Sequence, residues 1–190
     1  MDVLASLASL SSLSLFYTNI TDAGVHHLCT LTNLTSLNLD NRELTDQSLL
    51  HISTLTKLRH LDVFSARVSD VGLCFISSLS ELVSLEICGG KITDLGLEYI
   101  ARLPALRRLN VSQNARVTNK GLLYLVKLDD LEVLNVSHCQ VCAPGALGPL
   151  GKMRGLRVLA VNGCKGMNDK GALMKLQASL PFLRTVKAVC

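Results

Sequence analysis

Seven cysteines, Cys29, Cys74, Cys88, Cys139, Cys142, Cys164 and Cys190, carry most of the intrinsic reactivity of this chain, and two of them form a C-x-x-C directly after His138. Two thiolates at that spacing can occupy two corners of a zinc tetrahedron. A closed site needs two more ligands, and Cys164 and Cys190, the nearest in sequence, bring no second paired spacing. The better reading places Cys139 and Cys164 in a recurring turn position that Asn114 fills elsewhere. The five histidines, His26, His27, His51, His60 and His138, stand in no motif that would pair a Ser or Cys nucleophile with a base. Serine is abundant without a G-x-S-x-G elbow. Gly89 and Gly90 read as a strand-end turn, since no Gly-Lys-Ser or Gly-Lys-Thr follows to hold a phosphate. Catalysis has no carrier, so the chain is expected to be no enzyme and to use no cofactor and no metal.

The scatter of these residues has a cause in the elements that must position them. The pattern L-x-x-L-x-L begins at Leu10, Leu34, Leu58, Leu82, Leu106, Leu131 and Leu156, with a partial unit at Leu183. The intervals are 24, 24, 24, 24, 25, 25 and 27 residues, the range of leucine-rich repeats and outside that of helical repeats. Composition agrees with a filled core: 190 residues, 48% apolar, 18% charged and no Trp, with a mean hydropathy of +0.36. That balance excludes disorder. No apolar run approaches the ~20 residues of a membrane span. Residues 3–16 are apolar, but no Lys or Arg appears before Arg42, so the basic region of a secretory signal is missing.

Each unit changes period halfway. Leu85 and Ile87 alternate as in a short strand with Glu86 and Cys88 pointing outward, whereas Leu97, Ile100 and Leu103 recur every three residues, as on the inner stripe of a helix. Between them lies a turn written Ile20-Thr21-Asp22, Leu44-Thr45-Asp46, Val68-Ser69-Asp70, Ile92-Thr93-Asp94, Val117-Thr118-Asn119 and Met167-Asn168-Asp169. Its apolar residue plugs the core and its polar residues cap the helix. Gly24, Gly72, Gly96, Gly121 and Gly171 follow inside the first helical turn, where a missing side chain permits close packing on the next unit. One unit cannot bury its own apolar face, so the units must stack. The expected architecture is an α/β leucine-rich repeat solenoid: a right-handed horseshoe with a parallel sheet on the concave side and short helices on the convex side, residues 1–190 forming one domain.

L-x-x-L-x-L followed by I-T-D-x-G-L resembles the ribonuclease-inhibitor-like and F-box-associated leucine-rich repeats over essentially the whole chain. Residues 61–70, 84–90 and 109–114 look similar to plant and algal proteins of the F-box/leucine-rich-repeat-like group. The resemblance implies substrate recognition or scaffolding, in some members within a cullin-type (SCF) ubiquitin ligase. No F-box segment precedes the repeats in this sequence, so that role is the alternative to a plain protein-binding scaffold.

On such a sheet the residues flanking the inward leucines form columns facing solvent. One column is Ser14, Asn38, Asp62, Glu86, Asn110, Asn135 and Ala160; a second is Phe16, Asp40, Phe64, Cys88, Ser112, Ser137 and Asn162; a third is Ser12, Ser36, His60, Ser84, Arg108, Val133 and Val158. Phe16, Tyr17 and Phe64 are out of place on a wetted strand and read as interface anchors. Asp40, Asp62 and Glu86 beside them make an acidic patch rimmed by Arg42, His60 and Arg67, which suits a basic partner. The expected partner-binding set is Phe16, Tyr17, Asp40, His60, Asp62, Phe64, Glu86 and Arg108. The alternative is that Phe16 and Phe64 lean on each other while the carboxylates are solvated.

Charge also divides along the chain. Residues 1–95 hold five Lys or Arg against ten Asp or Glu, a balance of −5, and residues 96–190 hold fourteen against five, a balance of +9, consistent with the overall +4. Lys152, Arg154, Arg157, Lys165, Lys170, Lys175, Arg184 and Lys187 make the last third basic, but aromatics are not interleaved among them, so nucleic-acid binding is not expected. The array starts on Leu4, Leu7, Leu10 and Leu13 and stops on Leu183, Val186 and Val189 without polar capping units, so self-association through open edges or continuation into a longer array is expected. Reduced buried thiols fit a cytoplasmic or nuclear location. The sequons at Asn19, Asn33, Asn110 and Asn135 arise from the repeat pattern itself.

Overall fold

The computed structural model describes residues 7–188. Strands and helices alternate: β1 (Ser12–Ser14), α1 (Asp22–His26), β2 (Ser36–Asn38), α2 (Asp46–Ile52), β3 (His60–Asp62), α3 (Asp70–Ile76), β4 (Ser84–Glu86), α4 (Asp94–Ile100), β5 (Arg108–Asn110), α5 (Asn119–Leu125), β6 (Val133–Asn135), α6 (Leu147–Lys152), β7 (Val158–Ala160), α7 (Lys170–Ser179) and β8 (Thr185–Lys187). The eight strands form one parallel sheet in sequence order. Each strand is three residues long because only its central residue must face inward before the chain turns toward its helix. Leu37, Leu61, Leu85, Leu109, Leu134 and Leu159 take that central place in register and are fully buried. They join leucines, valines and isoleucines of the turns and helices in one continuous core between residues 25 and 180. Among the described residues no helix is long and apolar enough to cross a membrane.

The recurring turn does more than cap its own helix. Thr45, Ser69, Thr93 and Thr118 accept from the second amide of α2, α3, α4 and α5. The Asp that follows each cap reaches forward into the next unit instead. Thr45 donates from its amide to Asp22 at 3.0 Å and from its hydroxyl at 2.6 Å. Ser69 does the same to Asp46 at 2.8 and 2.6 Å, Thr93 to Asp70 at 2.9 and 2.6 Å, and Thr118 to Asp94 at 2.7 and 2.7 Å. A ladder of carboxylates thus ties each helix start to the following one. It changes chemistry where its partner changes: Cys142 has no hydroxyl to give, and Asn119 meets it through a 2.9 Å bond from the Cys142 amide and a 3.1 Å bond to the Cys142 carbonyl.

This ladder explains the glycines. A methyl group at Gly72, Gly96 or Gly121 would stand 2.5, 2.5 or 2.6 Å from the carboxylate of Asp46, Asp70 or Asp94. Where the second unit has Ser48 in place of glycine, its hydroxyl donates to Asp22. Gly24 and Gly171 do not fit the expectation of packing on a neighbour, since each faces a residue of its own unit, Ile20 and Asp169.

Three other expectations change. Thr21 makes no side-chain cap to α1, whereas Asp169 caps α7. Leu103 is buried but lies beyond the end of α4, in the turn that leads to β5. Cys88, expected to face outward, is buried at 1% exposure, and its thiol donates toward the Asn110 carbonyl. Phe64 takes the same place after an equally short strand and stays exposed, so burial at this position varies from unit to unit.

Candidate partner-binding face

Strand register builds the concave columns: Ser36, His60, Ser84 and Arg108 stand side by side in one, and Asn38, Asp62, Glu86 and Asn110 in the next. The second of these columns has a structural task. Asn38, Asp62, Asn110 and Asn135 each accept the amide two residues on, from Asp40, Phe64, Ser112 and Ser137, at 3.0 to 3.1 Å. Such a bond folds the chain off the end of the strand. Asp62 performs this turn as the asparagines do, but it carries a charge.

The carboxylates are braced from the side. Asn38 donates to the free oxygen of Asp62 at 3.0 Å, and Asn110 donates to Glu86 at 2.6 Å. Burial pushes the pKa of Asp40 up against the pull of Arg42. Burial likewise raises Asp62, opposed by the Phe64 amide and reinforced by the charge of Asp40. Glu86 is raised by burial, with Asn110 opposing and Asp62 adding. The three acids run across neighbouring strands; burial opposes the ionisation of all three, and Asp62 and Glu86 are each repelled further by the acid one strand before. A cation seated on this face would relieve that cost.

The aromatic residues border the acids. Phe16 is 50% exposed, Tyr17 89% and Phe64 36%. Phe16 packs edge-to-face on Tyr17 with ring centroids 4.5 Å apart. Phe16 and Phe64 lie at the ends of strands separated by β2, and they line a shared open groove of about 440 Å³ together with Tyr17, Asp40, Arg42 and Glu43. Glu43, which the sequence reading passed over, faces Arg67 at 3.5 Å; the only hint of it was the 24-residue spacing that the pair shares with the repeat.

The remaining candidates divide. His60 is exposed between Ser36 and Ser84. Arg108 lies further along, where a separate depression of about 160 Å³ is lined by Glu86, Val133, Val158 and Lys187. The column that starts with Phe16, Asp40 and Phe64, expected to face solvent throughout, is covered at its next three positions. Cys88, Ser112 and Ser137 are buried, as is Ala160 in the neighbouring column. The open, aromatic part of the face is therefore confined to the first three strands.

The C-x-x-C separates into two unrelated positions. Cys139 is buried and its thiol donates to the Val111 carbonyl at 3.3 Å, and Cys164 repeats this contact one unit later with Val136 at 3.2 Å. Asn114 fills the equivalent place with a richer set of bonds, from its side-chain amide to Ile87 and Val111 at 2.9 Å and from the Ile92 amide to its oxygen at 3.1 Å. Burial drives the Cys139 thiol up to about 12 and Cys88 to about 11. Cys142 belongs to the carboxylate ladder. Among the described residues no group of three or more His, Cys, Asp or Glu is arranged to hold a metal ion.

Comparison with known proteins supports the same architecture. A family model described as Leucine Rich repeat matches residues 6–29, 54–77 and 103–126. No curated protein matches the sequence. Among solved structures, internalin C2 from Listeria monocytogenes str. 4b F2365 is similar with a TM-score of 0.72 at 22% identity, covering 97% of this chain and 83% of that one. The plant peptide hormone receptor RGFR1 in complex with RGF2 is similar with a TM-score of 0.59 at 17% identity, covering 96% of this chain and 32% of the receptor, so this chain spans about a third of that protein. Repeated turns, parallel register and structural likeness agree: the chain has the fold of a leucine-rich repeat solenoid.

Proposed function

We propose that this chain is a protein-interaction module that takes a cationic segment of a partner protein on the first strands of its concave face. The observation that carries the reading is one groove lined by three exposed aromatic rings and by Asp40, whose carboxyl burial holds above its ordinary pKa, with the raised carboxyls of Asp62 and Glu86 on the adjoining strands. An Arg or Lys side chain entering there gains a carboxylate partner for its charge, a ring face for its stem, and relief of the repulsion among Asp40, Asp62 and Glu86. His60 and Arg108 would flank the bound segment and reject a second cation in the wrong register. The solved complex of a plant receptor of this fold with RGF2 supports a peptide as a reasonable ligand class.

The resemblance to plant and algal F-box-type repeats makes a ubiquitin-ligase substrate receptor the alternative form of the same activity, with the adaptor-binding segment supplied outside these residues. The buried, unpaired thiols of Cys88, Cys139 and Cys164 support a reducing compartment, cytoplasm or nucleus.

The test is affinity purification from source cells with the natural chain and with a Phe16→Ala, Asp62→Asn, Phe64→Ala variant. Asn at position 62 keeps the strand-end turn, as Asn38 and Asn110 do, and removes only charge. Proteins lost from the variant place binding on this face, and recovery of ligase subunits among them selects the receptor form. An identical set of partners from both samples overturns the reading.

A further inference from the structure

The concave face changes character after β4. Its run of acids ends at Glu86, and the later strands bring Arg108 of β5 and Lys187 of β8 to one depression of about 160 Å³, whose apolar lining includes Val133, Val158 and Ala160. Both cations are exposed, and among the described residues neither forms an ion pair. By contrast Arg107 and Arg157, which stand just before β5 and β7, are both held by Glu132, at 3.5 and 3.6 Å. Asn135, half-buried on β6, lines the same depression. Asn38 and Asn110 each donate to an acid on the strand beside them, at 3.0 and 2.6 Å. Asn135 stands between Asn110 and Ala160 in the register, so no acid of this chain lies beside it there. Its oxygen accepts the Ser137 amide at 3.0 Å, which leaves the side-chain amide as the donor on offer.

We infer that this depression seats a glutamate side chain of the bound segment, so that the partner carries a cation and an acid at a fixed separation. The inference rests on the cationic-segment reading above and adds a second charge to it. The carboxylate accepts from Arg108, Lys187 and the Asn135 side-chain amide, and the methylenes of the glutamate lie on Val133 and Val158. Aspartate is too short to use that apolar lining. Glu86 closes the near end by repulsion, so the acid sits on the Asn135 side. Strands about 4.8 Å apart place Asn135 about 14 Å from Asp62 and about 19 Å from β2, and an extended segment advances about 3.3 Å per residue. The acid therefore stands about four to six residues from the cation. This pairing sets the register of the bound segment. It also rejects wholly basic segments, because a second cation at the seat meets Arg108 and Lys187.

The experiment is selection of a displayed library of random 12-residue peptides on the full chain, with the peptides joined through their C-termini so that only side chains supply carboxylates. The recovered sequences are expected to pair Arg or Lys with Glu about four to six residues away. The same selection on an Arg108→Ser, Lys187→Ser variant should keep the cation and lose the glutamate. A Lys120→Ser, Lys127→Ser control, which removes as much charge from exposed positions on and just beyond α5, should keep both. Circular dichroism first confirms that each variant is folded. One recovered peptide is then titrated by fluorescence anisotropy. Replacing its glutamate by glutamine should weaken binding to the natural chain about tenfold, and to the Arg108→Ser, Lys187→Ser variant by less than about twofold. Cation-bearing sequences with no preferred acid, or a glutamate preference that survives in the Arg108→Ser, Lys187→Ser variant, overturn the glutamate seat and leave the cationic-segment reading standing. Recovered sequences that lack a cation, or no recovered sequence at all, overturn both.

Discussion

Replacing Asp70 by alanine isolates the contribution of the carboxylate ladder. The change removes two acceptors at once, those for the Thr93 amide at 2.9 Å and the Thr93 hydroxyl at 2.6 Å. Hydrogen bonds to charged groups contribute about 1.5–3 kcal/mol each. Asp70 is half-buried, so the lower end applies and the pair sums to about 3 kcal/mol. Loss of a negative charge at the start of α3 adds about 0.5 kcal/mol. With a urea slope of about 2 kcal/mol per molar, the unfolding midpoint followed by circular dichroism should fall by roughly 1.8 M. Asp70→Asn keeps one acceptor and should fall in between. The reciprocal change Asn119→Asp sets a carboxylate oxygen against the Cys142 carbonyl, which the asparagine now bonds at 3.1 Å, and should also destabilise, by about 2 kcal/mol. A loss below about 0.5 kcal/mol for Asp70→Ala, the range of ordinary surface changes, would show that the ladder is geometry without energy and refute the account of the turn given above.

Asp62→Asn should stabilise the protein at neutral pH. A carboxyl raised in the folded state favours folding below its ordinary value and loses that contribution as pH rises through the raised one, so the gain should disappear below about pH 4 in urea titrations at several pH values. Asn114→Ala strands the buried groups of Ile87, Ile92 and Val111 and should cost about 3 kcal/mol or more by the same assay. Tyr17 sits at φ 58°, so Tyr17→Gly should leave the urea midpoint nearly unchanged while weakening partner capture, because relief of left-handed strain offsets the added chain entropy. In mass spectrometry after brief alkylation at neutral pH, exposed Cys74 should be labelled well before Cys139, whose thiol stays protonated up to about 12.

The repeat spacing made the strands and their register legible, because a leucine every 24 or 25 residues leaves one way to stack. The cap residues were legible for the same reason. What the aspartates do was not, since their partners lie 23 or 24 residues ahead and a turn motif looks complete without them. Alternation predicted an outward Cys88, but that place is buried in this unit and exposed at Phe64 one unit earlier, a difference the repeat pattern does not encode. Phe16, Tyr17 and Phe64 could be picked out because an aromatic on a wetted column is unusual.

The carboxylate ladder also gives the stack a direction. Every cap from Thr45 to Thr118 is completed by an acid that precedes it in the chain, and each of these acids has both oxygens engaged by the unit that follows. The bonds have one polarity along the chain: each unit supplies the acceptor and the next supplies the donors. Removing a unit from the front of the array leaves an unanswered threonine, whereas removing one from the back leaves only a solvated aspartate, and the two truncations should therefore differ sharply in how far their loosening spreads.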